Sequence, residues 1–182
     1  LDDLVASGKV RYIGASNYAA WQLARTNVIA ELRNWTPFIS IQNHYHMFER
    51  ELEHEVLPFC AAHQVGILPY FPLAGGFLTG KYKRGAPAPA GSRGESSPYV
   101  QAYMTDANYD KLAKLEAWAA AYGLTLGDLA HAWLLAHPEV SSVISGATSV
   151  DQLQANAKSP DWSLSAAELA EVNAILEPKT AP

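Results

Sequence analysis

The sequence predicts an α/β fold built from parallel strand–helix units. Three observations predict it. Short apolar runs alternate with longer amphipathic stretches, each apolar run ends in small or polar residues, and the amphipathic stretches are long enough to cross between parallel strands. Four such units are visible in 182 residues, and 49% hydrophobic against 17% charged residues is the balance of one globular unit rather than a disordered chain.

Residues 1–6 read as the last turns of an amphipathic helix stopped at Ser7 and Gly8, and residues 10–14 as the first strand. With no initiating Met and an opening in mid-helix, an upstream segment is expected. A helix over residues 19–32 carries Leu23, Val28 and Leu32, and residues 34–37 punctuate it. Residues 38–42 form the next strand, and residues 49–63 a helix with Leu52, Val56, Phe59 and Cys60 near one face. A third strand is expected over residues 67–71, with Pro69 arguing against a central place in the sheet. Residues 83–108 contain "GAPAPAGSRGESSP", a length and composition that predict a lid or flexible loop. Helices over residues 109–121 and 126–136, a fourth strand over 140–145 and a helix over 150–157 follow. The closing helix, residues 165–175, opens with Ser165 and Glu168 in capping-box spacing.

Thirteen basic against eighteen acidic residues give a net charge of -5, and no basic stripe interleaved with aromatics occurs, which argues against nucleic acid and anionic membrane as partners. Cys60 is the only cysteine, so there is no internal disulfide and no redox or zinc pair, as fits a cytoplasmic protein. No apolar run reaches about 18 residues, and the start lacks a signal pattern.

In parallel strand–helix architectures ligands sit beyond the carboxyl ends of the strands. Here those ends carry Ser16 and Asn17, then Gln42 and Asn43, then residues 70–73, then residues 145–148. Ser16, Asn17 and Gln42 have the donors and acceptors to bond both ends of an amide on a planar ring, and Tyr70 has the face to stack on it. The competing reading is that Ser16 and Asn17 cap the next helix. "PLAGGFLTGKY" places three glycines and Lys81 past the third strand, a composition that admits a phosphate or serves as plain turns. In "SGATSVDQLQANA", Gly146 precedes Thr148 and Ser149, N-caps of a helix whose start favours an anion. Gln152 and Asn156 lie four apart on that helix, either reaching an adenine or ribose phosphate or forming a solvated face.

The segments "GKVRYIGASNY", "SIQNHYHMFERE", "PYFPLAGGFLTGKY" and "ISGATSVDQLQANA" resemble, in order, signature segments of the aldo-keto reductases, above all a bacterial branch similar to the potassium-channel beta subunits. The resemblance runs along essentially the whole chain. It implies one domain over residues 1–182, the C-terminal half (strands five to eight) of a (β/α)8 TIM barrel. By the same resemblance Ser16, Asn17 and Gln42 hold a nicotinamide carboxamide and Tyr70 lies against its ring. Phe71, Pro72, Leu73, Gly75 and Lys81 line the pyrophosphate and its ribose. Gly146, Thr148, Gln152 and Asn156 surround the adenosine 2'-phosphate end, favouring NADPH over NADH. Phe71 stands where many members carry Ser, and Ala155 where a Glu commonly meets the adenine amino group.

The family passes a hydride to an aldehyde or ketone while a tyrosine, assisted by lysine, aspartate and histidine, gives the proton. All four belong to the first half of the barrel, nothing here matches them, and no catalytic residue is assigned. Four strands of eight leave two open edges, so a missing N-terminal half-barrel or a homo-oligomer is the expected partner, besides a small-molecule carbonyl substrate. Two other functions compete: a non-catalytic NADPH-sensing module, as the channel subunits suggest, and a phosphate-handling barrel enzyme, which would not need Ser16, Asn17 and Gln42.

Other chemistry-bearing residues point elsewhere. His44 and His46 alternate after a strand but lack a third metal ligand in the nearby sequence, so no metal site is assigned. Tyr45, with a pKa of about 10 and no neighbouring charge in sequence, is a poor acid at neutral pH. His131 and His137 read as packing or surface residues, Cys60 as core, and Glu49, Arg50 and Glu51 as the opening of a helix.

Overall fold

Phe38–Gln42 (β2) organises the sheet, its side chains alternating between the two faces. In the computed structural model, which describes residues 1–177, β1 (Ile13–Ser16) pairs parallel with β2 on one side and β3 (Gly66–Ile67) on the other, in the order β1-β2-β3. Residues 178–182 of the expected domain lie outside the described residues. The strand expected at 10–14 lies at Ile13–Ser16 instead, because its polar end pairs, Ser16 opposite Gln42, while Tyr12 is 69% exposed.

Residues 140–145, expected as a full strand, pair only through bridges from Ile67 to Val140 and from Tyr70 to Ile144, both parallel. Pro69 explains the break. Ile67 donates to Glu139 O at 2.7 Å and accepts from Ser141 N at 3.0 Å, so the next donor on that side falls on a residue with no N–H. The third strand, expected over 67–71, is continuous only over Gly66–Ile67; toward β2 it goes on as hydrogen bonds from Leu68 N to Ile41 O and Tyr70 N to Asn43 O and a bridge from Tyr70 to His44. The strands approach closely: a side chain at Gly14 would collide with Ser40 Oγ, and one at Gly66 with Ser141 Oγ.

α1 (Asp2–Ala6) is tied across by Asp2, whose Oδ1 accepts from Thr36 N at 2.7 Å. α2 (Ala20–Arg33) buries Leu23 and Ala30 and ends at Asn34, which is left-handed at φ 55°. The helix expected over 49–63 is broken: Glu51–Glu53 makes one 3-10 turn, and α3 runs only from Val56 to His63. Pro58 sets that start, since in the first turn its missing N–H costs nothing, whereas further inside a helix it removes a bond.

Residues 83–108 contain two short helices, α4 (Arg93–Ser96) and α5 (Pro98–Gln101), with Val100 and Tyr103 buried. α6 (Asp106–Ala121) and α7 (Leu126–Leu135) open with Thr105 and Thr125 as N-caps, α8 (Val150–Lys158) with Ser149, and α9 (Ala166–Leu176) with the expected Ser165–Glu168 capping box. Leu115, Leu129, Trp133, Leu134 and Val172 from α6, α7 and α9 pack with Ile41, Tyr45 and Ile67 in one core. Trp133 donates its ring N–H to Asn173 Oδ1 at 2.9 Å, satisfying the polar atom of a fully buried ring. Among the described residues no helix is long and apolar enough to cross a membrane.

Candidate functional site

The parallel register brings the carboxyl ends of β1 and β2 level, and polar side chains stitch them together. Ser16 Oγ donates to Gln42 O at 2.9 Å, and Asn17 N donates to the same oxygen at 3.1 Å and to Asn43 Oδ1 at 2.9 Å. From beyond β3, Tyr70 OH donates to Asn17 Oδ1 at 3.0 Å. Three successive strand ends thus join Ser16, Asn17, Gln42 and Tyr70 in one cluster. With Asn17 Oδ1 engaged, its NH2 remains as a donor. The capping alternative is overturned: the N-cap of α2 is Ala19, whose N–H donates to Gln22 Oε1 at 2.8 Å.

The alternation of β2 continues past its end, carrying His44 and His46 to the side of Gln42 and Tyr45 to the opposite one. His44 forms a bridge with Tyr70, and their rings stack with centroids 5.4 Å apart and planes within 13°. Tyr99 OH, from α5, lies 2.7 Å from His44 Nδ1. Burial holds the His44 pKa below its ordinary value. His46 is fully buried, and burial, aided by His44, pushes its pKa down to about 3. Its Nδ1 accepts from Phe48 N at 3.1 Å, while Nε2 has no hydrogen-bond partner. Among the described residues no group of three His, Cys, Asp or Glu could hold a metal.

Tyr45 corrects one premise of the sequence reading. It does have charged neighbours, Glu53 and Arg50, and its OH donates to Glu53 Oε1 at 2.9 Å. Burial first, then Glu53, pushes its pKa far above the ordinary value, so it is no acid near neutrality for a different reason. His137 Nε2 lies 3.0 Å from Tyr45 OH, and His131 is buried against Gly127 O and Ser145 Oγ. Cys60 is buried, and burial pushes its thiol up to about 11.

Past Tyr70 the chain reverses through backbone that side chains disfavour: Phe71 at φ 63°, Ala74 at 49°, Gly75 at 65° and Gly76 at 101°. A side chain at Gly76 would strike Lys81, and one at Gly75 would strike Val100 and Phe71. Pro72 is buried beneath this reversal and Leu73 half-buried. Tyr82 OH braces it, donating to Gly75 O at 2.9 Å and accepting from Gly94 N at 3.0 Å. Arg93 lies over the Phe71 ring at 5.6 Å, a cation beside the loop that the low-complexity composition around it concealed.

At the fourth strand end, Thr148 N and Oγ1 donate to Gln152 Oε1 at 2.8 and 3.0 Å, and Asn156 Nδ2 donates to Gly146 O at 3.4 Å. Gly146, Thr148, Gln152 and Asn156 therefore gather around the start of α8. They form a second cluster, connected to the first through the Tyr70–Ile144 bridge. The sequence reading placed Asn43 at a strand end without giving it a role, weighed His44 only as a metal ligand, and missed Arg93 and Tyr99; the alternation running on from Gln42 was the signal available for His44.

This chain belongs to the aldo/keto reductase family, which it matches over residues 1–177. It is 34% identical to "Protein tas" of Escherichia coli, over 97% of this chain and 51% of that one. It is 33% identical to versiconal hemiacetal acetate reductase of Aspergillus parasiticus, over 79% of this chain and 42% of that one. A protein of Arabidopsis thaliana named "Probable voltage-gated potassium channel subunit beta" is 36% identical, over 87% of this chain and 49% of that one. The chain spans about half the length of the curated relatives it matches.

Proposed function

We propose that this chain is the C-terminal half, strands five to eight, of a (β/α)8 barrel, and that it holds NADPH for an oxidoreductase that reduces small aldehydes or ketones. The observation that carries the reading is the meeting of Ser16, Asn17, Gln42 and Tyr70 at three adjacent strand ends. A planar ring bearing a carboxamide needs donors and acceptors along one edge and an aromatic face beside it. The residues suit that group: Asn17 keeps its NH2, and the Gln42 carboxamide has no hydrogen-bond partner among the described residues.

In this reading Lys81 and Arg93 attract the pyrophosphate to the loop of Phe71, Pro72, Leu73 and Gly75, and residues 83–108 are the lid over it. Gly146, Thr148, Gln152 and Asn156 receive the adenosine 2'-phosphate at the start of α8, where a helix N-terminus favours negative charge and selects NADPH over NADH. The bound nicotinamide supplies hydride; this chain orients the ring and shields one face, and the proton comes from the missing N-terminal half. The same half, or a second copy of this chain, covers the open edge at β1 in a cytoplasmic setting. The versiconal hemiacetal acetate reductase supports the enzyme reading. The relative named as a channel subunit supports a second one, a non-catalytic NADPH-sensing module.

Titration of the chain with NADPH, followed by the change in cofactor fluorescence, tests the site. Saturable binding is expected, weaker for NADH, and Gln42→Ala should weaken NADPH by about fivefold or more, the loss of one or two hydrogen bonds. Absence of binding, or an unchanged Gln42→Ala, overturns the reading. Aldehyde-dependent NADPH oxidation once an N-terminal half is joined favours the enzyme over the sensor.

A further inference from the structure

We propose that His44 and Tyr99 are positioning residues for Tyr70: Tyr99 pins His44, and His44, stacked flat on one face of Tyr70, fixes the ring whose other face takes the nicotinamide. The inference rests on the proposed cofactor site and adds to it two residues that nothing about cofactor contact requires.

A hydrogen bond from Tyr70 OH to Asn17 Oδ1 holds only the tip of that ring, which remains free to turn about its long axis. A second ring lying within 13° of parallel removes this freedom. His44 would itself be free to turn about its Cβ–Cγ bond. The Tyr99 hydroxyl, 2.7 Å from Nδ1 and 3.3 Å from Nε2, stops it. Tyr99 is placed by rigid neighbours: Pro98 opens α5, the adjacent Val100 is fully buried, and the buried Tyr103 packs edge-on to the Tyr99 ring at 5.9 Å. Tyr99 nevertheless remains 52% exposed, which makes core packing a poor reason for its placement.

The arrangement needs a neutral imidazole that accepts from a phenol. The titratable groups around His44 are His46 (rings 4.7 Å apart), Glu49 (Oε2 at 3.9 Å), Tyr70 and Tyr99, with the Phe71 ring edge closing the set. Half-burial of His44 favours its neutral form. In this way residues of the Gly- and Pro-rich excursion act on the ring site without touching the ligand.

Calorimetric titration of the full chain with NADPH and, separately, with adenosine 2',5'-bisphosphate, which lacks the nicotinamide, tests the device. Tyr99→Phe, which removes one hydroxyl, should weaken NADPH by roughly three- to tenfold. His44→Ala should weaken it at least as much, and His44→Phe, which restores a stacking ring, should recover part of that loss. The double variant Tyr99→Phe/His44→Ala should be no weaker than His44→Ala alone, since Tyr99 acts through His44. Both residues touch the Phe71 ring, at 5.6 and 5.5 Å, but not Gly146, Thr148, Gln152 or Asn156, which receive the 2'-phosphate in this reading, so the bisphosphate should bind all variants within about twofold of the unsubstituted chain. Equal weakening of both ligands, an additive double variant, or a Tyr99→Phe indistinguishable from the unsubstituted chain each overturns the proposal. Should the unsubstituted chain bind neither ligand, the cofactor site itself fails and the device with it; binding of both with silent variants removes the device alone. Tyr99→Phe leaves the half-exposed ring in place and so keeps the test open if His44→Ala does not fold.

Discussion

The two flanks of the sheet treat similar residues in opposite ways. Toward α6, α7 and α9, Trp133, Leu115, Leu129 and Leu134 are wholly buried. Toward β1 and α2, Tyr12, Trp21, Val28, Leu32 and Trp35 are exposed, Leu32 at 80%, and an apolar hollow of about 410 Å3 on the same flank is lined by Ile13, Ile29, Trp35 and Phe38. Large apolar side chains occur on both flanks; those facing an opposing layer are the ones covered. α2 forms because its pattern is helical, yet only Leu23 and Ala30 find cover. An exposed apolar patch here lies beside the edge of β1, which pairs with no further strand among the described residues, and such edges and patches are where association is expected.

Substitutions can sharpen or break this contrast. The largest effect is expected at Trp133→Ala, which should cost about 3–5 kcal/mol in urea unfolding, whereas Trp21→Ala on the other flank should stay within about 0.5 kcal/mol. Comparable losses at both would erase the distinction. Next comes pH. The His46 pKa is lowered on folding from 6.5 to about 3, so the folded state keeps the ring neutral while the unfolded chain takes up the proton. The stability this supports is complete above 6.5 and is lost as pH falls from 6.5 toward 3, by about 1.4 kcal/mol per unit at the steepest. Unfolding measured at pH 7 and pH 5 should show that loss, and His46→Phe should flatten it. Glu53 adds to acid sensitivity lower down: burial raises its pKa, but hydrogen bonds from Arg50 and Tyr45 outweigh burial and hold it below 4.5.

Smaller effects follow. Ser165→Ala removes the cap of α9 and should cost about 1 kcal/mol, read as a lowered unfolding midpoint. Leu32→Glu should change the stability of the isolated chain by less than about 0.5 kcal/mol. The same change should reduce any self-association measured by sedimentation. A marked loss of stability would mean that this flank is packed after all.

How much of this was legible in the sequence depended on whether the signal was local. The α9 cap was readable because Ser165 and Glu168 satisfy each other within one turn, and β2 because its alternation continues in the fold. The break after residue 49 was written in Pro58, but only a count of which turn it occupies reveals it. The fourth strand failed through Pro69, whose missing donor matters only on the side facing residues 140–144. At the site, strand ends named Ser16, Asn17, Gln42 and Tyr70. His44 lay on the alternation continuing from Gln42, but Tyr99, which meets it from 55 positions away, and Arg93, which meets Phe71, required tertiary knowledge, since both come from a Gly- and Pro-rich stretch that carries no periodicity.

Ala74 holds its turn at φ 49° with its methyl fully enclosed, a posture that glycine adopts without penalty. Two opposing effects meet at this codon: glycine would relieve the left-handed backbone, but it would empty the space of an enclosed methyl and loosen the unfolded chain. Ala74→Gly should therefore shift stability by no more than about 1 kcal/mol, while the loop beside Lys81 gains freedom, so ligand grip should respond at this position more than endurance does.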